Sequence, residues 1–152
     1  MKNIKDHLRV VLIMMVLSSC DSLDHECVLP TACEIEDIVE SGTWEITLFA
    51  HLGIDKTSNF EAYVFSINEI FMYANSAEQN ISYTGSWSVI WLYGLDEYTL
   101  DDVNVSISFS LDGDLGELSG VWDFISISES KIELKHIIEE TGEVNYLTLE
   151  KQ

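Results

Sequence analysis

From Ile81 to Trp91 the chain alternates between two kinds of side chain, with Ile90 the one apolar residue in the polar series. Ile81, Tyr83, Gly85, Trp87, Val89 and Trp91 interleave with Ser82, Thr84, Ser86 and Ser88. The pattern returns in Val103, Val105, Ile107 and Phe109, interleaved with Asn104, Ser106, Ser108 and Ser110. A two-residue period puts one set on each face of a strand, here one apolar face and one hydroxyl face. A sheet with one dry and one wet face is antiparallel, because parallel sheets are covered on both sides.

Weaker copies of the same period run through most of the chain. Trp44, Ile46, Leu48 and Ala50 alternate with Thr43, Glu45, Thr47 and Phe49. Further strands are expected at 60–67, with Tyr63, Phe65 and Ile67 on one side, and at 69–75, 121–128, 131–138 and 144–151. Asn68-Glu69, Asp96-Glu97, the Asp112–Gly116 loop and Glu140-Thr141-Gly142 supply the turns, and Glu117-Leu118-Ser119 offers a helical turn. Before them, Thr31 and Glu34 have capping-box spacing, Ile35, Ile38 and Val39 share a helical face, and Gly42 stops the pattern, so a short helix is expected over 32–41. The single proline, Pro30, lies outside every strand. The expected fold is all-β: an eight-stranded antiparallel up-and-down meander with a short N-terminal helix. Closing eight strands removes both edges and leaves an interior that side chains fill or that holds one small ligand.

The first twenty residues are of another kind. Lys2, Lys5 and Arg9 precede an unbroken apolar run from Val10 to Leu17. The run falls short of the roughly 20 apolar residues that span a bilayer and has the length of a signal-peptide core. Leu17-Ser18-Ser19-Cys20 follows it and resembles the lipobox of bacterial lipoproteins. That resemblance implies cleavage before Cys20 and acylation of its thiol. The domains are therefore expected to be a signal peptide at 1–19, an acylated tether with a short helix at 20–41, and a barrel at 42–152. Acidic residues just after the cysteine, Asp21 first, resemble an inner-membrane retention signal in enterobacterial lipoproteins and a surface-export signal in other Gram-negative lineages. The expected location is the cell envelope, with the outer membrane, periplasmic or cell-surface face, ahead of the inner membrane.

Charge and cysteines narrow the partners. The chain carries a net charge of −20, and cleavage removes Lys2, Lys5, Arg9 and Asp6, which makes it −22. Such a surface repels nucleic acid and anionic lipid head groups. With Cys20 acylated, Cys27 and Cys33 remain in an oxidising compartment, and a short disulfide-closed loop is expected, two free thiols being the alternative.

Gly-x-Trp occurs three times, at Gly42-Thr43-Trp44, Gly85-Ser86-Trp87 and Gly120-Val121-Trp122. Glycine permits a bend and tryptophan covers a barrel end. The helical turn followed by Gly42-Thr43-Trp44 resembles the lipocalin signature. Tyr83-Thr84-Gly85-Ser86-Trp87-Ser88-Val89, Leu118-Ser119-Gly120-Val121-Trp122 and Leu147-Thr148-Leu149-Glu150-Lys151 are similar to segments of small bacterial lipocalin-like lipoproteins. One departure is Asn68-Glu69, where that group would have an Asp-Gly hairpin turn. The resemblance implies a lipocalin-like barrel that binds a small apolar or amphipathic molecule, with no catalytic residues to carry over. The candidate ligand contacts are the aromatic residues expected on the inner face: Trp44, Tyr63, Phe65, Tyr83, Trp87, Trp91 and Phe109. A packed barrel that contacts an envelope protein is the alternative.

Motifs for other chemistry are missing. His25, His51 and His136 are scattered, no nucleophile elbow, His-Glu-x-x-His or phosphate loop is present, and no cofactor is implied. Asp112-Gly113-Asp114 opens like a calcium loop but has Glu117 where the sixth-position glycine is required. No metal ligand set is expected, and the reading is non-enzymatic. Cys20→Ala is expected to abolish incorporation of radiolabelled palmitate into the protein; continued labelling of that variant would falsify the lipobox assignment.

Overall fold

A computed structural model of the chain describes residues 32–91, 99–110 and 112–152. The signal peptide, Cys20, Cys27, most of the tether, the side chain of Cys33 and the Asp96-Glu97 turn lie outside the described residues.

Helix α1 (Ala32–Glu40) comes first, one residue shorter than expected, and Ser41 closes it by donating from its amide and hydroxyl to the Ile38 carbonyl. Nine strands follow: β1 (Thr43–His51), β2 (Ile54–Asp55), β3 (Val64–Asn68), β4 (Phe71–Ser76), β5 (Ile81–Trp91), β6 (Val103–Ser108), β7 (Gly120–Ile127), β8 (Lys131–Ile137) and β9 (Val144–Lys151). A four-residue helix α2 (Asp114–Glu117) sits between β6 and β7. Apart from the two-residue β2, which only borders β1, the strands pair antiparallel with their chain neighbours, and β1 pairs with β9 to close an eight-stranded barrel.

The core is the inner face of this barrel. Trp44, Phe49, Phe65, Met72, Trp122, Leu134 and Leu147 are essentially without solvent contact. Gly85 lies where the wall is tightest: a Cβ there would stand 2.6 Å from the Ser108 carbonyl and 2.8 Å from the Phe109 ring. Glycine is required here by close approach rather than by backbone conformation.

Three sequence expectations need correction. The inward series in β1 does not run 44, 46, 48, 50. Ile46 faces Leu149 but Leu48 faces Thr148, so two residues of β1 advance against one of β9 and make a bulge at Thr47. Beyond it the faces exchange: Phe49 is fully buried and Leu48 is 39% exposed. A second bulge lies between Phe124 and Ser126, with Ile125 outside and Ile127 packed against the core. The second long strand begins at Val64 rather than Phe60, because Asp55 redirects the chain: its carboxylate accepts from the Thr57 amide at 2.9 Å and the Thr57 hydroxyl at 2.6 Å, and a 3₁₀ turn follows at Thr57–Phe60. Those bonds hold the Asp55 carboxyl below its ordinary range, the hydroxyl contributing first. The helical turn after the Asp112 loop lies at Asp114–Glu117, earlier than expected. The turn expected at Asn68-Glu69 is the two-residue turn Glu69-Ile70, because Asn68 still pairs with Phe71, and Glu69 adopts a φ of +51°, a conformation that glycine takes more easily.

Gly85→Ala is expected to destabilise the barrel by about 1–3 kcal/mol, because backbone and a core ring must move. Gly42→Ala meets only the flexible end of Lys151 and is expected to be far milder. Urea unfolding of the two variants checks the contrast, and equal stabilities would contradict it.

Candidate functional site

The seven aromatic residues expected to face a ligand form a packed core and its border. Trp44, Phe65, Trp87 and Phe109 are buried, and Tyr63, Tyr83 and Trp91 pack against them partly buried. Two of the three Gly-x-Trp indoles are fixed by hydrogen bonds, Trp44 Nε1 donating to the Val39 carbonyl at 2.8 Å and Trp122 Nε1 to the Leu118 carbonyl at 3.0 Å. Trp87 Nε1 is buried without a hydrogen-bond partner.

The space left inside the barrel is about 20 Å³, bounded by Val39, Met72, Trp87, Ile107, Phe124 and Leu149 among others. Trp87 alone of the seven lines it. That is room for about one water molecule, whereas sites for small molecules measure roughly 300–1,000 Å³. Both ends are closed as well. Helix α1 lies across the end where β1 begins, with Ile35 and Val39 buried. At the opposite end Phe60 meets Phe49 edge-on at 5.1 Å, and Leu115 and Leu118 are buried beside them. A clasp holds this second cover: the Lys56 ammonium lies 2.6 Å from both carboxylate oxygens of Glu117, and Asn59 Nδ2 donates to Asp114 Oδ1 at 2.9 Å. The residues that resembled a calcium loop thus tie down the barrel cover. Among the described residues no group of three or more His, Cys, Asp or Glu side chains could hold a metal ion.

Among the described residues larger spaces lie on the outside. Tyr63 and Tyr83, with rings 6.2 Å apart, border a cleft of about 200 Å³ together with Asp112, Asp114 and Leu115. These are the two candidate ligand residues that the fold brings together near solvent. A wider groove of about 630 Å³ lies between β7 and β8. Their ladder ends at Asp123 and Lys135, and beyond it the side chain of His136 fills the gap, its Nδ1 2.7 Å from the Val121 carbonyl. In this contact the Nδ1–H donates. His136 also packs on Trp122 at 5.6 Å. Asp123, Glu139 and Glu140 line the same groove, but none of the described hydrogen bonds joins the imidazole to a carboxylate. Sequence reasoning noted His136 as a strand residue; its place in the wall depends on where two strands part, and periodicity carries no signal for that.

Charge is unevenly spread over the outside. β7, β8, β9 and β1 carry Asp123, Lys131, Glu133, Lys135, Glu150, Glu45 and Lys151. Lys131 lies 2.7 Å from Glu133 and 3.9 Å from Glu150. The Lys131 ammonium, and after it the Ser126 hydroxyl, hold the Glu133 carboxyl below its ordinary range. β3, β4, β5 and β6 carry no charged residue at all.

No family model, no curated protein and no solved structure matches this chain. His136→Ala is expected to cost about 1 kcal/mol and to leave the Val121 carbonyl unpaired at the mouth of the groove. Hydrogen exchange near 121–122 and 137–138 should accelerate in that variant while exchange in β4 and β5 stays as before; unchanged exchange at the groove would show that the imidazole does not hold the wall.

Proposed function

We propose that this chain is a lipid-anchored protein of the bacterial cell envelope whose packed barrel is a non-enzymatic binding module that works through its outer surface. The observation that carries the reading is the filled interior: about 20 Å³ remain, and both ends are covered. The reading places an acyl anchor on Cys20, which contributes about 0.8 kcal/mol per buried methylene, and a Cys27–Cys33 disulfide in the tether. It favours the outer membrane, periplasmic or surface face. With α1 packed on the barrel from Ala32 onward, the 11 residues between Cys20 and Ala32 reach at most about 40 Å extended and average nearer 18 Å as a coil, so the module stays close to the bilayer.

A carrier of a small apolar molecule is the reading that the filled interior disfavours. Opening space for such a ligand means expelling Trp87 or Met72 from well-packed positions, and truncating side chains of that size costs roughly 2–5 kcal/mol. An acid–base site at His136 has the groove and its carboxylates in its favour. Against it, Nδ1 is engaged by the wall itself, and no serine, threonine or cysteine lines the groove.

The test is native mass spectrometry and tryptophan fluorescence of the full-length protein, released from detergent, against palmitate, haem and cholesterol. The expected result is no stoichiometric adduct and no saturable quenching up to micromolar ligand. A one-to-one adduct with any of the three would sink the packed-module reading.

A further inference from the structure

The uncharged half of the barrel wall does not look like the outside of a strongly acidic protein. In this part of the sequence the charges sit between the strands, at Glu69, Glu78, Asp96, Glu97, Asp101 and Asp102, and none lies on β3–β6. The pairing register shows what replaces them. Met72, Ala74 and Ser76 point inward and are buried, so Phe71, Tyr73 and Asn75 face outward along β4. Opposite them on β5 stand Ser86, Thr84 and Ser82 in that order. Each row thus pairs a flat or amide-bearing side chain with a hydroxyl. The five residues of extended strand from Phe71 to Asn75 make this track about 14 Å long.

We infer that this track is a binding surface for a neutral polysaccharide. Phe71 is 42% exposed and its ring lies 6.1 Å from that of Tyr73. The two rings offer an apolar platform, which suits the C–H faces of sugar rings. Hydroxyl and amide groups both donate and accept, and so do the hydroxyls of a sugar. A neutral chain has no charge to be matched, and a wall without carboxylates or ammonium groups loses no ionic hydration when it is covered. At the end of the track the surface dips into a recess of about 340 Å³, again without a charged residue, lined by Val64, Asn75, Ala77, Asn80, Ile81 and Ser82 among others. There the Ser82 hydroxyl donates to Asn75 Oδ1 at 2.7 Å, which sets the orientation of the amide. A second copy of the chain is the less fitting occupant, since each copy carries a charge of −20.

The inference rests on the reading that the exterior is the working surface. Its test is affinity electrophoresis of the full-length protein through gels containing dextran, mannan or xylan, with polygalacturonate as the charged control. The expected result is retardation by at least one neutral polymer and none by polygalacturonate. Phe71→Ala and Tyr73→Ala should each weaken the apparent affinity about tenfold. Val121→Ala, on the far wall and 44% exposed, should leave it unchanged. Thermal melts of the three variants confirm that each is folded. Free migration in all three neutral gels overturns the inference, as does retardation that ignores Phe71 and Tyr73. A dimer in sedimentation that Phe71→Ala dissolves makes the track a self-interface and overturns it too. A palmitate or haem adduct that both aromatic variants keep marks failure of the packed-module reading instead.

Discussion

The pairing of β1 with β9 is the constraint on which everything else depends. It turns an open meander into a closed wall, and eight strands fix the bore of that wall at a size that side chains can fill. Whether the bore is then a pocket or a core is decided by volume. Three tryptophans and a set of phenylalanine and aliphatic side chains point inward, and the space that survives is about 20 Å³. Closure and large inward residues together move any binding function to the outside. Either alone would not: the same strands with small inward residues would hold a cavity.

Closure also explains the two bulges. A closed wall has to coil, and an extra residue in one strand increases the local twist. At Thr47 the extra residue exchanges the faces of β1, which brings Phe49 into the core against Phe60 and Trp122. The bulged edge needs other partners on its β3 side. Thr57 and Lys56 provide them, the Thr57 hydroxyl accepting from the Phe49 amide and the Lys56 amide donating to the Phe49 carbonyl. Lys56 then uses its side chain to clasp Glu117. One inserted residue thereby links the wall to the cover at its end.

These connections mark the boundary of what the sequence makes legible. Strict alternation in 81–89 and 103–109 identifies β5 and β6 and both of their faces, because nothing interrupts the ladder there. The antiparallel order and the helix before Gly42 follow from short turns and a capped 3.6-residue pattern. The bulge at Thr47 is not legible, since Leu48 and Phe49 are both apolar and either can serve as the inward residue. Phe60 reads as strand because Ala62, Tyr63, Val64 and Phe65 follow it closely, and the Asp55–Thr57 contacts that redirect the chain are local hydrogen bonds rather than a periodicity. Apart from Phe49, the aromatic residues on the inner faces of the strands are legible as inward. That they fill the bore completely is a sum over eight strands, and no single stretch encodes it.

The uncharged wall poses a problem of its own, because a neutral sheet surface with exposed aromatic rings invites association. Two features of the chain answer it. The closed barrel offers no long free strand edge as a template for pairing, which removes the usual route from a flat neutral sheet to an aggregate. The rest of the molecule carries a large negative charge that keeps copies apart. Phe71 and Tyr73 can therefore stay in water without a cover among the described residues. A row of lysines or glutamates on β4 and β5 would secure solubility more simply, and the hydroxyl face of β5 would tolerate them without disturbing the core. Since solubility is already provided by the charged half, the fold itself places no demand for charge on the other half.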